Sequence, residues 1–314
     1  MDNITHTLIG VGLARAGLAQ RFGRGTTMIL AVASNLPDVD GVCLPFGPLS
    51  FLWRRTVTHC LIGAPLLALA ATFLFTRWYP QLSWRCVLGL TLLGIGGHVF
   101  ADVWNSYGVV LYWPFLPRRV DLDWVFILDV YIWGILSGSL IVARLARRHA
   151  PWIWRVGLSL MAAYIAVCAV ANWKSEQLLA DQAGQEGAVG GQVFLYPEPF
   201  GPTRFRGVAR LKSEYAVYEI FPFEKRMELL ERMQIEQSSE VIAAARNSEA
   251  GRRLDSFLST AVWRLAPDGQ SAIVYGLGFR TKLFRARTPF TFRVAPDGRV
   301  WRAKLPYTWS RSID

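Results

Sequence analysis

Residues 85–102 read RCVLGLTLLGIGGHVFAD, and the fold turns on how this stretch is understood. Between Arg85 and Asp102 lie sixteen residues with no formal charge apart from His98, a short version of the roughly 20 apolar residues that cross a hydrocarbon core. The run ends in His98 and Asp102, four apart, which on a helix puts both side chains on one face, a turn from each other. Ionisable groups beside a long apolar run are costly and point by default to function.

Working outward, three more segments read as spans: Val57–Thr76, Trp124–Ala143, broken only by Asp129, and Val156–Trp173. Ahead of them, Thr7–Gln20 and Thr26–Leu36, joined by the Gly/Arg-rich turn 21–25, form a helical hairpin reaching part-way across. The basic loop Arg144–Arg155, placed in the cytoplasm, sets the orientation. Alternation then puts His59, His98, Asp102, Asp38 and Asp40 at the outer face, with His6 flanking the open end of the hairpin and Asp129 about one and a half turns into its helix. Inverting the protein would keep these groups together.

Composition agrees with a membrane chain: 52% hydrophobic residues and thirteen Trp in 314, with a mean hydropathy of +0.26. The net charge of +11 is not a nucleic-acid footprint. The first 173 residues hold thirteen Arg, seven Asp, no Glu and no Lys, and the arginines sit at the ends of apolar runs. The four cysteines show no CxxC spacing and read as small buried residues, with a Cys43–Cys60 disulfide left open. Acidic Asp2, an interrupting Arg15 and the lack of a small-residue cleavage site argue against a cleavable signal.

The polar residues that do occur are clustered: Asp2-Asn3-Ile4-Thr5-His6, Leu36-Pro37-Asp38-Val39-Asp40, Arg55-Thr56-Val57-Thr58-His59 and His98-Val99-Phe100-Ala101-Asp102. Imidazole with carboxylate is the ligand set of Zn²⁺, Mn²⁺ or Fe²⁺. Asp38 and Asp40, two apart on a Pro-started turn, suit one ion or a bridged pair. Singly, each motif is matched by a plain structural role: a helix-end Asp, an Asx turn, a Thr N-cap. Their number and common placement favour a metal centre. Asp121 and Asp123, beside Arg118 and Arg119, read as interfacial ion pairs of little energetic weight.

From Lys174 the chain changes character, giving domains of 1–173 and 174–314. Gln192–Tyr196, Tyr215–Phe221, Ala272–Leu277 and Phe290–Val294 have strand character, Phe223–Gln234 and Ser239–Ser259 read as helices, and Ser238 or Ser239 serves as N-cap. Ala-Pro-Asp-Gly turns stand at 266–269 and 295–298. The expected fold is therefore a mainly α-helical polytopic bundle of four spans plus an N-terminal hairpin, followed by an extramembrane α+β domain.

The order Asn-x-Thr-His, Leu-Pro-Asp-x-Asp, Arg-x-x-Thr-His, His-x-x-x-Asp and Tyr-Gly-x-x-Leu-x-Trp-Pro-Phe resembles the bacterial YdjM-type inner-membrane metal-dependent hydrolase family over roughly residues 1–175. The resemblance implies that His6, Asp38, Asp40, His59, His98 and Asp102 are metal-site residues, with Asp129 a further candidate. Thr56, Cys60 and Gly97 depart from the family's usual Gly and Ser, which alters hydrogen bonding around the second and third histidines.

The function expected is hydrolysis by one or two divalent ions, Zn or alternatively Mn or Fe. Asp40 or Asp102 would accept the proton of water, and Arg54 and Arg55 would clamp a phosphate. Arginines and Trp at a bilayer surface point to membrane lipids and a lipid-like phosphoester substrate, with both the site and the C-terminal domain on the periplasmic side of a bacterial inner membrane. Two other classes compete: an ion or metal transporter, which would need polar groups along a crossing path, and a non-catalytic membrane scaffold. The partner of the C-terminal domain is unspecified.

Overall fold

The computed structural model describes residues 1–236, 239–281 and 290–303. It divides into two compact units: Met1–Cys43 with Trp53–Ala169, and Leu44–Leu52 with the chain from Val170 onward.

The first unit is helical. Asp2 caps α1 (Asn3–Leu13), its Oδ1 accepting from the N–H groups of Ile4 and Thr5 at 3.0 Å. The helix continues through a π-helical stretch and a short α2 (Ala19–Phe22). The chain reverses at the left-handed glycines Gly23 and Gly25, and α3 (Thr26–Ala33) returns. This is the expected hairpin. Helix α5 (Trp84–Val103), begun by the Ser83 cap, packs on α3 through Gly94, where a Cβ would lie 2.6 Å from that of Ala33. Small residues let helices in apolar surroundings approach this closely.

The remaining spans differ from expectation. Val57–Thr76 is not one helix: Val57–His59 is a 3-10 turn, and α4 runs from Gly63 to Trp78. Backbone bonds from Val110 N–H to Arg55 O (2.8 Å) and from Leu61 N–H to Leu111 O (2.9 Å) draw residues 55–61 out of helical geometry. At Gly63 a Cβ would fall 1.7 Å from Val57 O, so only glycine fits the fold-back. Trp124–Ala143 shortens to α6 (Val130–Leu145), because Trp124 and Val125 donate instead to Trp104 O and Asp129 caps the helix. Val156–Trp173 lengthens to α7 (Ala150–Gln185), with Pro151 in its first turn.

Among the described residues three helical stretches are long and apolar enough to cross a membrane: Thr26–Phe46, Trp84–Val103 and Arg147–Gln185. The bent pair ending in α4 makes a fourth if counted as one span, and α6 is shorter. Helices α4 to α7 expose large apolar side chains such as Leu66, Phe73, Phe100, Leu145 and Leu160, a surface that water alone would not favour. No disulfide joins any of the four cysteines, all of which are described.

The second unit holds two antiparallel four-stranded sheets with strands in sequential order. One comprises β1 (Val193–Pro197), β2 (Phe205–Arg210), β3 (Glu214–Phe221) and β4 (Arg226–Gln234). The other comprises β5 (Ala261–Leu265), β6 (Ala272–Gly276), β7 (Phe292–Val294) and β8 (Val300–Arg302). Leu179, from the end of α7, packs with Phe205 and Ile220 on one face of the first sheet, while Val208, Val217, Val262 and Tyr275 share a second core. Phe51 belongs here as well, stacked on Phe292 at 5.1 Å.

The helix expected over Phe223–Gln234 is a strand. Its Arg, Glu, Met and Leu residues favour helix locally, but pairing with β3 from Phe221↔Arg226 to Glu214↔Gln234 overrides them. A charged strand at the end of a sheet is an ordinary protected edge. Ser239–Ser259 forms two helices, α8 (Glu240–Asn247) and α9 (Glu249–Leu258), capped by the hydroxyls of Ser239 and Ser248. Ser238 lies outside the described residues. Both Ala-Pro-Asp-Gly turns close with a 2.9 Å bond from the Gly N–H to the Ala carbonyl.

Candidate metal centre

The Gly94 contact sets the site. One turn beyond it, His98 reaches α3, and its Nδ1 lies 2.7 Å from Ser34 O. That bond makes Nδ1 the protonated nitrogen and turns Nε2 toward Asp102, one turn further, at 3.3 Å from Oδ2. The 3-10 turn at Val57–His59 brings the second imidazole to the same place. His59 Nε2 lies 3.1 Å from His98 Nε2 and 3.4 Å from Asp102 Oδ2. The third comes from α1, with His6 Nε2 3.2 Å from Asp102 Oδ1 and its ring stacked on His98 at 3.7 Å.

Asp38, His59, His98 and Asp102 each offer a ligand atom, and these four atoms lie within 4.8 Å of one another. His6, His59, His98 and Asp102 are fully buried. The facing nitrogens of His59 and His98 lie at hydrogen-bond distance and share at most one proton, so at least one lone pair points into the cluster. Asp102 Oδ2 is buried and ion-paired with Arg55 Nε at 2.9 Å, with His98 and His59 Nε2 at 3.3 and 3.4 Å, so the carboxylate is held charged in the interior. The donor set, imidazole nitrogen and carboxylate oxygen, suits a divalent transition metal.

Asp40 stands behind the ligands. Its Oδ2 accepts from Arg55 N–H (2.6 Å) and Thr58 Oγ1 (3.3 Å) and lies 3.5 Å from His59 Nδ1. The hydrogen-bond partner of His59 Nδ1 is Thr58 Oγ1 at 2.9 Å, so Asp40 helps to fix the ring's orientation through that hydroxyl. Arg54 bridges the acidic turn, pairing Nη2 with Asp38 and Nε with Asp40 Oδ1 at 3.1 Å. Arg55 is buried, pairs with Asp102, donates to Asn105 Oδ1 at 3.2 Å, and stacks over Tyr107 at 4.8 Å.

Asp129 is not brought to this group. It stands at the N-cap of α6 rather than inside the helix, its Oδ1 accepting from Tyr131 and Ile132 N–H and its Oδ2 from Tyr164 Oη at 2.8 Å. Arg119 donates to the carbonyls of Tyr107, Gly108 and Arg54. Burial, and after it the neighbouring charge of Asp121, pushes the Asp123 carboxyl well above the ordinary range.

Asn105 and Ser34 escape a reading by residue chemistry. Asn105 is buried, binds both Arg55 and Asp102 O, and follows Asp102 by three residues, the one hint available. Ser34 acts through its carbonyl, which any residue possesses.

No solved structure matches the chain. The uncharacterized protein YfhP of Bacillus subtilis (strain 168) is 29% identical over 140 residues, 42% of this chain and 43% of that protein, so the chain spans less than half the length of this curated relative. The motifs that build the cluster all fall within residues 1–175, where the YdjM inner membrane protein family matches, and the chain therefore belongs to that family.

Proposed function

We propose that the protein is a multi-pass inner-membrane hydrolase with a divalent metal centre at the periplasmic face, acting on the phosphoester of a lipid or lipid-linked substrate. The observation that carries this reading is the convergence of His6, His59 and His98 on one buried carboxylate, Asp102, with Asp38 alongside. Four spans, counting the bent pair as one, carry it. The metal is Zn, alternatively Mn or Fe, as one or two ions. Such an ion supplies Lewis acidity and lowers the pKa of water toward 7.

The chain's own groups do the rest. Ser34 O orients His98, and Thr58 Oγ1, itself held by Asp40 Oδ2, orients His59, so the two Nε2 atoms are presented without rearrangement. One carboxylate, Asp40 or Asp102, would take the proton of attacking water as the new P–O bond forms and the ester P–O bond breaks, and would pass it to the leaving alkoxide. Arg55 offsets the charge of Asp102 inside the protein. The Arg54 guanidinium, held by Asp38 and Asp40, offers the planar fork that recognises phosphate. The C-terminal unit has a mixed surface suited to a protein partner or to substrate gating.

Elemental mass spectrometry of detergent-purified protein, followed by release of phosphate or headgroup from a lipid panel, tests the proposal. Stoichiometric metal with metal-dependent release is expected. Full metal loading with no release from any phospholipid or lipid-linked phosphate would overturn the substrate, and absence of metal after reloading would overturn the hydrolase.

A further inference from the structure

Beside the cluster, a cavity of about 320 Å³ opens between α4 and α5. His59, Pro65, Leu92, Gly96, Val99 and Phe100 are among its walls, and His59 is the only lining residue with a titratable nitrogen. Its rim is continuous with exposed apolar side chains: Leu61 and Phe100 are each 62% exposed. A Cβ built on Gly96 meets nothing within 4 Å, so the glycine leaves this wall open.

We infer that this groove is a binding site for one hydrocarbon chain of a membrane lipid, entered sideways from the bilayer and ending against His59. The volume is at the small end of ligand pockets, which run from about 300 Å³, enough for a length of chain but not for a headgroup as well. Apart from His59 and the Cys60 thiol the lining side chains are apolar, so a peptide or sugar would leave most of its polar groups unpaired at a desolvation cost that a hydrocarbon chain avoids. The lipid phase is itself apolar, so seating a chain here gains fit and dispersion rather than hydrophobic free energy. Retention therefore depends on the headgroup, and a phosphate anchored at the His/Asp cluster supplies it; for that headgroup the inference rests on the function proposed above.

The test uses the full chain in phosphatidylcholine vesicles containing a phosphatidic acid with a diazirine near the end of one acyl chain. After photolysis, adducts mapped by peptide mass spectrometry should concentrate in Leu61–Pro65 and Leu92–Val103. They should fall about tenfold, a 1.4 kcal/mol effect, in Gly96→Phe, whose ring fills the groove. Gly89→Phe, at an equally open position on α5 away from the groove, should keep them. Adducts spread evenly over outward residues such as Leu69, Phe73 and Leu93, or unchanged by Gly96→Phe, would overturn the groove. Should Gly96→Phe not fold, excess unlabelled phosphatidic acid added to the wild type must reduce groove adducts selectively, and a uniform reduction would overturn the site. Metal content is read on the same samples. Groove adducts without metal sustain the groove and sink the hydrolase, and metal with scattered adducts does the reverse.

Discussion

Both units of this protein bury ionisable groups, and they resolve the cost in opposite ways. In the second unit arginines and glutamates are matched: Arg206 with Glu198 at 2.7 Å, Arg280 with Glu231 at 3.0 Å, and Arg204 with Glu219 at 3.1 Å. In charge that network closes on itself, one guanidinium to each carboxylate, although Arg206 Nε and Arg280 Nη2 keep no hydrogen-bond partner among the described residues. In the first unit three imidazoles face one carboxylate, and two imidazole nitrogens stand opposite each other, His59 Nε2 3.1 Å from His98 Nε2, with room for one shared proton at most. Such a set holds more acceptors than protons, which suits a cation. A closed network serves the fold, whereas an open one is built around a ligand.

The comparison breaks first at Asp102. Asp102→Asn removes the charge on which all three histidines converge, and metal should be lost from stoichiometric to background, a fall well beyond the roughly hundredfold that even supporting residues cause. Elemental analysis of the folded variant checks this. Retention of metal would show that the site does not depend on Asp102, whereas absence of metal from wild type and variant alike would make the cluster a structural polar network.

The second unit should respond in stability instead. Glu198→Gln strands the buried Arg206 guanidinium, which burial already holds below its usual pKa, and breaking such a pair costs about 3–5 kcal/mol. Chemical denaturation followed by far-UV circular dichroism should show this transition moving while metal content stays at the wild-type level. A coupled loss of metal would show that the two networks are not independent.

Between these extremes lies Asp40→Asn, which weakens the support of His59 without removing a ligand. Metal affinity should fall about 10–100-fold, measured by competition with a chromogenic chelator. An unchanged affinity would confine Asp40 to holding Arg54 and Arg55.

Much of the open network was legible from residues. His98 and Asp102 announced themselves because a four-residue spacing on a helix fixes their shared face, and α5 formed nearly as expected. Asp38 and His59 followed from being polar where little else was. Asp129 misled because apolar residues flank it on both sides, and composition cannot tell a capping carboxylate from one inside a span. His59 was expected at the start of a straight helix, but the backbone bonds to Val110 and Leu111 that bend this segment are long-range. The closed network was not legible at all. Arg206 and Glu198 are only eight residues apart but meet through a strand turn, Arg280 and Glu231 are 49 apart, and strand β4 hid behind helix-favouring residues until its pairing with β3 decided the matter.

The smallest expected effect sharpens what a closed network means at the surface. Glu186 lies just beyond α7, and burial alone would raise its pKa. Hydrogen bonds from Tyr218 Oη (2.6 Å), Gln182 (2.7 Å) and Arg232 (2.7 Å) outweigh that and hold it below its ordinary 4.5. A carboxyl whose folded pKa is depressed adds stability above its unfolded pKa and loses it as pH falls through the folded value. The contribution is therefore full at neutral pH and fades below about pH 4.5. Tyr218→Phe removes one donor, so the variant should be less stable at pH 7 by about 0.5–1.5 kcal/mol. The gap should narrow on acidification, because the wild type has more to lose. Denaturation midpoints at pH 7 and pH 3.5 measure it. A gap of constant size would assign the effect to loss of the hydroxyl alone rather than to the charge it supports.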